Sequence, residues 1–361
     1  MAKTIGKKTR VCIAMSGGVD SSVAAALLKS QGYDCIGAFF ITWTKDAKGL
    51  TKCPWEQDVF DARRVCAKLD IPLYVFNFEK DYKKRVVDYL FAEYRQGRTP
   101  NPDIMCNKEI KFKLFLNKAK EIGADFIATG HYAQIKKNQG GYDLVKGKDK
   151  NKDQSYFLYT LNQNQLKHTL FPIGHLIKPQ VRQLAKKFRL PNWNKKDSQG
   201  ICFLGKVKLT DFLKTKIPVK IGKIVDTQGK VLGQHQGTAF YTIGQRHGLN
   251  VGGLNAPYYV VKKIRKTNTL VVGLDRTKEL FAKTLTVGSL SWVNQAPKIP
   301  GNYQAKIRYR QPDQKVRIAA KTKKEIKAVF PKPQRAAALG QSVVFYSGKK
   351  VLGGGIINKI N

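Results

Sequence analysis

The stretch VCIAMSGGVDSSVAAALLKS, residues 11–30, limits the fold more than any other part of the chain. Val11 to Met15 is an apolar run with the texture of a buried strand. It breaks at Ser16-Gly17-Gly18 and resumes as an Ala- and Leu-rich segment of helical character. A strand, a glycine turn and a helix start together offer an anion backbone N–H groups and the positive end of a helix dipole. Gly17 and Gly18 permit tight turning and close approach, and Ser16, Ser21 and Ser22 add hydroxyl donors. The loop holds no lysine and lacks the GxxxxGK spacing, which disfavours a kinase- or GTPase-type phosphate loop. Asp20 reads either as a partner for Mg2+ carried with a nucleotide or as a helix N-cap.

Strands and helices alternate through the first half of the chain. CIGAFFI, LYVFNF and DFIATGHYA read as further strands, while EQDVFDARRVCAKLD, DYKKRVVDYLFAEYRQG and FKLFLNKAKEIG read as helices. This alternation predicts a parallel α/β sheet with helices on both faces. Pro100 and Pro102 are expected to keep GRTPNPDIMCNKEIKF, residues 97–112, extended and outside a helix. KGKDKNKDQ, residues 146–154, reads as an exposed loop. From about residue 205 the texture changes to short alternating runs with glycine turns, such as KIVDTQGKVLG and YYVVKKIRKTNTLVVG, which predict β-hairpins. The chain therefore divides into an α/β unit, residues 1–205, and two β-rich units, residues 206–280 and 281–361.

Lys and Arg number 66 against 25 Asp and Glu, a net charge of +41 spread along the whole chain. Such a balance points to a polyanionic partner, nucleic acid first, with a generally lysine-rich composition as the plainer alternative. No run of eighteen apolar residues occurs, so no membrane span is expected, and MAKTIGKKTR lacks a secretory core. A cytoplasmic location is the resulting expectation. None of the six cysteines forms a CxxC pair, so no resident metal is expected. Cys12, Cys35 and Cys66 fall in apolar settings and read as buried small hydrophobes. Cys106 lies near a helix start among Lys108, Lys111 and Lys113, where a thiol pKa is lowered. Cys202 follows the turn at Gly200. Read alone, each of these two is either a reactive thiol or a surface thiol without a role.

SGGVDSS resembles the pyrophosphate loop of the N-type ATP pyrophosphatases, and NPDxxCNxxIKF with SQGICF resembles the tRNA-specific 2-thiouridylases. ATGHYA, KDQSYFL, YTIGQRHGL and YRQ extend that resemblance over nearly the whole chain. It implies an adenine nucleotide α hydrolase-like domain, a small β-rich central domain and a C-terminal β-barrel. It implies an ATP-dependent sulfurtransferase that converts the wobble uridine of tRNA to 2-thiouridine and releases AMP and pyrophosphate. The loop would grip the departing pyrophosphate, which fits the missing lysine, because the γ-phosphoryl group is not transferred.

By the same resemblance, Ala14, Met15, Ser16, Gly17, Gly18, Val19, Asp20, Ser21 and Ser22 line the phosphates of ATP with its Mg2+, with Ile41 and Gly130 near the nucleotide. Ile41 stands in FFITW where the family has methionine, an apolar contact in both cases. Asn101, Pro102 and Asp103 would meet the target base, Asp103 also as an acid/base. Lys152, Asp153, Gln154, Arg310 and Gln311 would contact the tRNA. Cys202 would carry the persulfide and Cys106 would be the partner nucleophile that closes a Cys106–Cys202 disulfide. Cys53 gains no role. His131 reads as a nucleotide neighbour or a structural strand-end histidine, and His247 as a turn residue. The implied partners are the tRNAs for Lys, Glu and Gln and a cysteine desulfurase or sulfur-relay protein. Rival readings are a lysidine synthetase or amidotransferase-type ligase, which need no cysteine pair, and a non-catalytic RNA-binding protein.

Overall fold

A computed structural model describes residues 8–44, 55–197, 207–249, 251, 256–322 and 324–361. Cys53 and Cys202 lie outside the described residues.

The apolar run at the N-terminus forms strand β1 (Arg10–Ala14). It is followed by helix α1 (Val19–Ser30), strand β2 (Asp34–Ile41), helix α2 (Trp55–Leu69), strand β3 (Leu73–Asn77) and strand β4 (Phe126–Ala128). Strands β5 (Ala133–Asn138) and β6 (Gly141–Lys146) form a hairpin, and β7 (Thr169–Leu170) is a short strand. The first sheet has five strands in the order β3-β2-β1-β4-β7. All its pairings are parallel, with Cys12 opposite both Ile36 and Ile127. The period of two along β1 explains why both faces are covered. Val11 and Ile13 pack with α1, α2 and the helix Lys178–Lys187, whereas Cys12 packs with Tyr82, Leu90, Ile110 and Phe115 from helical runs over 79–95 and 102–121.

The second of these runs corrects the sequence expectation for residues 97–112. The helix starts at Pro102, not ten residues later. Pro102 occupies the first helical turn, where its missing N–H costs nothing and its fixed φ is already helical. Asn101 is the N-cap, its Oδ1 accepting from the N–H groups of Asp103 (3.1 Å) and Ile104 (3.2 Å). From Cys106 to Leu114 the helix widens to π-type turns, a distortion often found at functional positions.

The central unit is a four-stranded sheet built from β8 (Gly222–Val225), β9 (Val231–His235), β10 (Tyr258–Ile264) and β11 (Thr269–Leu274), in the order β10-β11-β8-β9. Phe212, just before it, packs on Phe91 and edge-on to Trp43, so its core is continuous with that of the first unit. The last six strands are β12 (Phe281–Trp292), β13 (Gly301–Lys306), β14 (Gln314–Lys321), β15 (Glu325–Arg335), β16 (Ser342–Ser347) and β17 (Lys350–Ile360). They run β12-β15-β14-β13-β16-β17 and close through β12–β17 into a barrel. Closure removes the open edges, and Leu285, Ile307, Ile318, Phe330 and Phe345 fill the interior. The β5–β6 hairpin of the first unit does not join the first sheet. It extends the barrel sheet instead, with Val145 paired to Lys350 and the Lys146 N–H bonded to the Lys349 carbonyl at 2.9 Å. Among the described residues no helix is long and apolar enough to cross a membrane.

Candidate functional site

The first sheet turns back on itself at β1. From β1 the chain adds β2 and β3 on one side, then returns to add β4 and β7 on the other. In open α/β sheets the crevice beyond the strand ends at such a switch point is where ligands bind. The loop 15–18 leaves β1 there, and Thr129-Gly130-His131 leaves β4 beside it. Two glycines are required by contact. A Cβ on Gly17, whose φ is +69°, would lie 2.3 Å from the Asp58 carbonyl oxygen. A Cβ on Gly130 would lie 2.7 Å from the Ser21 nitrogen. Gly130 thus lets the end of β4 rest directly on the start of α1.

Gly18 is the N-cap of α1 and supplies no side chain to it, so the first-turn N–H donors stay available to a ligand. The serines tie the loop to itself. Ser21 Oγ and Ser22 Oγ both donate to the Gly18 carbonyl, at 3.0 and 2.9 Å, and Ser16 Oγ lies 3.1 Å from Ser21 Oγ. Met15, Val19, Ser21 and Ser22 are buried, while Ser16 is exposed and Ala14, Gly18 and Asp20 are half-buried. This stretch therefore faces the crevice mainly with backbone. Ile41 ends β2, half-buried against the same apolar core as Met15 and Val19.

The lysine absent from the loop arrives from elsewhere. Lys178 opens the helix Lys178–Lys187 and places Nζ 2.8 and 2.9 Å from the two Asp20 carboxylate oxygens and 2.7 Å from Asp197 Oδ1. Tyr132 also donates its hydroxyl to Asp20, at 2.9 Å. The carboxylate read from sequence as a metal partner is thus held by a cation and a phenol, and the N-cap reading is corrected, since Asp20 sits inside the first turn. Asp197 further accepts from Arg182 (2.9 Å) and Lys152 (2.7 Å). Burial works to raise the Asp197 pKa, but Lys152 and Lys178 outweigh it and bring it down to about 2. Sequence reasoning missed Lys178 because 158 residues separate it from Asp20. One signal was present: a cation in the first turn of a helix opposes the dipole, so it needs an acidic partner from outside.

The cysteine-led helix lies on the other side of residues 129–132. Cys106 is 4% exposed at the start of the π-type turns, and its neighbour Asn107 is buried, donating to the Phe157 carbonyl at 3.3 Å. Asp103 is half-buried in the first turn, next to buried Pro102. Of the lysines expected to act on Cys106, Lys113 is bonded to Glu109 at 3.0 Å. His131 packs between Phe112 and Phe171, with Nδ1 2.7 Å from Thr129 Oγ1. Burial, then Lys111, hold its pKa well below the usual histidine range, which favours the neutral ring. His247 is exposed in a turn. Burial pushes Cys12 and Cys66 up to about 12 and Cys35 up to about 11.

Residues 152–158 meet the barrel at a seam beside this helix. The Phe157 and Tyr309 rings lie 4.4 Å apart, and Tyr156 donates to the Ser342 carbonyl at 2.9 Å. The residues expected to touch tRNA converge here, but most of their side chains point inward. Asp153 is 5% exposed and accepts from Gly147 N (2.9 Å), Ser155 N (3.1 Å) and Ser155 Oγ (3.0 Å). Gln154 Oε1 accepts from Tyr132 N at 3.0 Å. Gln311 is bonded to Ile307 N (2.9 Å) and Gln334 (2.7 Å), and Lys152 to Asp197. Arg310 alone of the five is exposed.

Comparison with known proteins matches residues 9–206 to the family described as tRNA methyl transferase HUP domain. Residues 210–274 match the tRNA methyl transferase PRC-barrel domain, and residues 282–357 the aminomethyltransferase beta-barrel domain. The chain is 48% identical over 359 residues to the tRNA-specific 2-thiouridylase MnmA of Alkaliphilus oremlandii, covering 98% of each. It is 50% identical over 357 residues to the protein of the same name from Nitrosomonas eutropha, covering 97% of this chain and 98% of the relative. A solved 4-thiouridine synthetase–RNA complex with bound ATP is similar at 19% identity and a TM-score of 0.38, covering 57% of this chain and 50% of that one. About half of all positions are shared from end to end with these relatives, through all three units of the fold, and the chain belongs to the tRNA-specific 2-thiouridylase family.

Proposed function

We propose that this protein uses ATP to replace the C2 oxygen of the wobble uridine of tRNA with sulfur. The observation that carries the reading is the convergence at residues 129–132. Gly130 rests on the phosphate-type loop, Tyr132 holds Asp20, and His131 packs on Phe112 of the cysteine-led helix. A nucleotide in the crevice and a base brought to Cys106 would then be neighbours. The names of the relatives support the substrate and the 2-thio product.

Oxide is a poor leaving group from a uracil carbonyl. In the proposed chemistry the C2 oxygen attacks the α-phosphorus of ATP and pyrophosphate departs, held by loop N–H groups and Lys178. Asp20 is the loop carboxylate that would meet Mg2+ carried on the nucleotide. The terminal sulfur of a Cys202 persulfide attacks C2. The Cys106 thiolate then attacks Cys202 Sγ, the S–S bond breaks toward the base, and AMP leaves with the original oxygen. The Cys106–Cys202 disulfide formed is reopened by a thiol reductant. Asp103, at the helix start beside Cys106, serves as the acid/base, and Asn101 and Pro102 shape the base pocket. The base must leave its stack to enter. Exposed cations, Arg310 among them, hold the phosphate backbone, so binding weakens steeply with salt. The tRNAs for Lys, Glu and Gln and a cysteine desulfurase or relay protein as sulfur donor complete the reading, set in the cytoplasm. Methyl transfer, the wording of the family description, gains nothing from the loop, because S-adenosylmethionine carries no phosphate.

The test mixes protein, ATP, unmodified tRNA and a persulfide donor, then assays nucleotides and nucleosides. AMP, pyrophosphate and 2-thiouridine in equal amounts are expected. ADP as the only nucleotide product, or no turnover with competent tRNA, removes the proposal.

A further inference from the structure

We infer that Asn192 is a positioning residue that turns the phosphate-type loop toward pyrophosphate. The inference rests on the ATP-dependent reading above and adds a residue to it. Asn192 is 5% exposed, and its Nδ2 donates to the Gly17 carbonyl at 2.9 Å and to Ser22 Oγ at 3.0 Å. The Gly17 carbonyl and the Gly18 N–H belong to one peptide plane and point in opposite directions. Holding the carbonyl from behind therefore fixes where the N–H points. Among the described residues that N–H makes only a long contact, 3.4 Å, to the exposed Ser16 Oγ, which leaves it able to reach an anion.

The second bond acts on the next peptide. Ser22 Oγ accepts from Asn192, so its own proton goes to the Gly18 carbonyl at 2.9 Å, where Ser21 Oγ also donates at 3.0 Å. Both glycine carbonyls are thereby occupied away from the crevice. A carbonyl facing the ligand would repel phosphate, so a loop that binds pyrophosphate must have both turned away. The tether is itself fixed. Lys195 bonds Asp58 (2.8 Å) and Asp61 (2.6 Å) on α2, and Arg182 bonds the Trp193 carbonyl at 2.9 Å.

The residue type follows from this double donation. A neutral primary amide presents two N–H bonds from one nitrogen, which neither serine nor threonine does. Its Oδ1 is buried with no partner among the described residues. A site that served packing alone would avoid that unsatisfied acceptor. The opposite amide orientation would set Oδ1 against the Gly17 oxygen.

The experiment compares wild type with Asn192→Leu, which keeps the branching at Cγ and loses both donors, and with Asn192→Ala. Binding of inorganic pyrophosphate, ATP and AMP is titrated calorimetrically, beside the thermal midpoint of the unliganded protein. Pyrophosphate and ATP affinity are expected to fall about tenfold or more in both variants, with AMP affinity within about twofold. A purely structural asparagine would lower the midpoint and leave the ratio of pyrophosphate to AMP affinity unchanged, which overturns the inference. Should Asn192→Ala fail to fold, Asn192→Leu decides. A wild type that binds neither ATP nor pyrophosphate sinks the functional reading and this inference together, whereas a wild type that binds them no better than the variants sinks the inference alone.

Discussion

The phosphate-type loop and the seam around residues 152–154 and 309–311 are both rich in polar residues, and they use them in opposite ways. At the loop the polar side chains bond to backbone so that the backbone itself faces the crevice. At the seam the polar side chains themselves are committed to the fold: Asp153 and Gln154 turn inward and bond backbone within the first unit, and Gln311 does so within the barrel. Equal motif strength in a sequence therefore corresponds to free backbone donors in one place and to scaffolding in the other. Burial decides which: a carboxylate 5% exposed and bonded to two N–H groups and a hydroxyl, as in Asp153, is not available to a polyanion.

The largest expected effect falls on the chemistry beside both regions. Cys106→Ser and Cys202→Ser should each abolish 2-thiouridine formation, by about a thousandfold or more, while ATP titrations stay unchanged. Nucleoside mass spectrometry reads the first and calorimetry the second, and full thiolation by either variant ends the mechanism.

Next comes Lys178→Met, which leaves Asp20 and Asp197 without their shared cation. Loss of a charge-assisted bond worth about 2–3 kcal/mol should weaken ATP binding roughly 30- to 150-fold. An unchanged ATP affinity would move Lys178 to the scaffold side of the comparison.

A smaller and opposite pair of effects separates the seam residues. Asp153→Asn should lower stability by about 1–2 kcal/mol in urea unfolding and leave tRNA affinity unaltered. Arg310→Ala should leave stability alone, weaken tRNA binding a few-fold and reduce the salt slope by about one. Weaker tRNA binding by Asp153→Asn at unchanged stability would break the comparison.

The smallest effect is in acid. Asp197 has its pKa lowered from 3.8 to about 2 in the folded chain. A depressed carboxylate stabilises fully above its unfolded value and loses that contribution as pH falls through the folded one. Stability from this hub should therefore be complete above about pH 4 and decline toward pH 2, and Asp197→Asn should flatten that part of a melting-midpoint profile. An identical slope in the variant would mean that other carboxylates carry it.

Local pattern made the parallel sheet, the β-hairpins and the loop legible. The run Val11–Met15 and the glycines after it are local facts, and so is the spacing of Val59, Ala62, Val65, Cys66 and Leu69 on α2, the first four buried and Leu69 half-buried. Pro102 misled because proline in a first helical turn looks like proline in an extended segment until Asn101 is seen capping it. Lys178 and Asn192 were illegible because their partners are 158 and 175 residues away and only the folded sheet brings them together. Side-chain direction at the seam was hidden for a different reason: irregular-loop bonds such as Asp153 to Gly147 and Ser155, or Gln154 to Tyr132, leave no periodic pattern in the sequence.

The β5–β6 hairpin has a consequence for synthesis on the ribosome. Its partner strand begins at Lys350, so roughly 200 residues must still be translated after Val145 emerges, on the order of 10–40 s at about 5–20 residues per second. During that interval the outer edge of β6 offers unpaired backbone to any passing strand. A nascent chain stalled before Lys350 leaves Val145 and Lys146 without that partner, whereas Gln163 already bonds the Tyr142 backbone, so the last strand of the barrel closes the end of the hairpin edge that the first half leaves open.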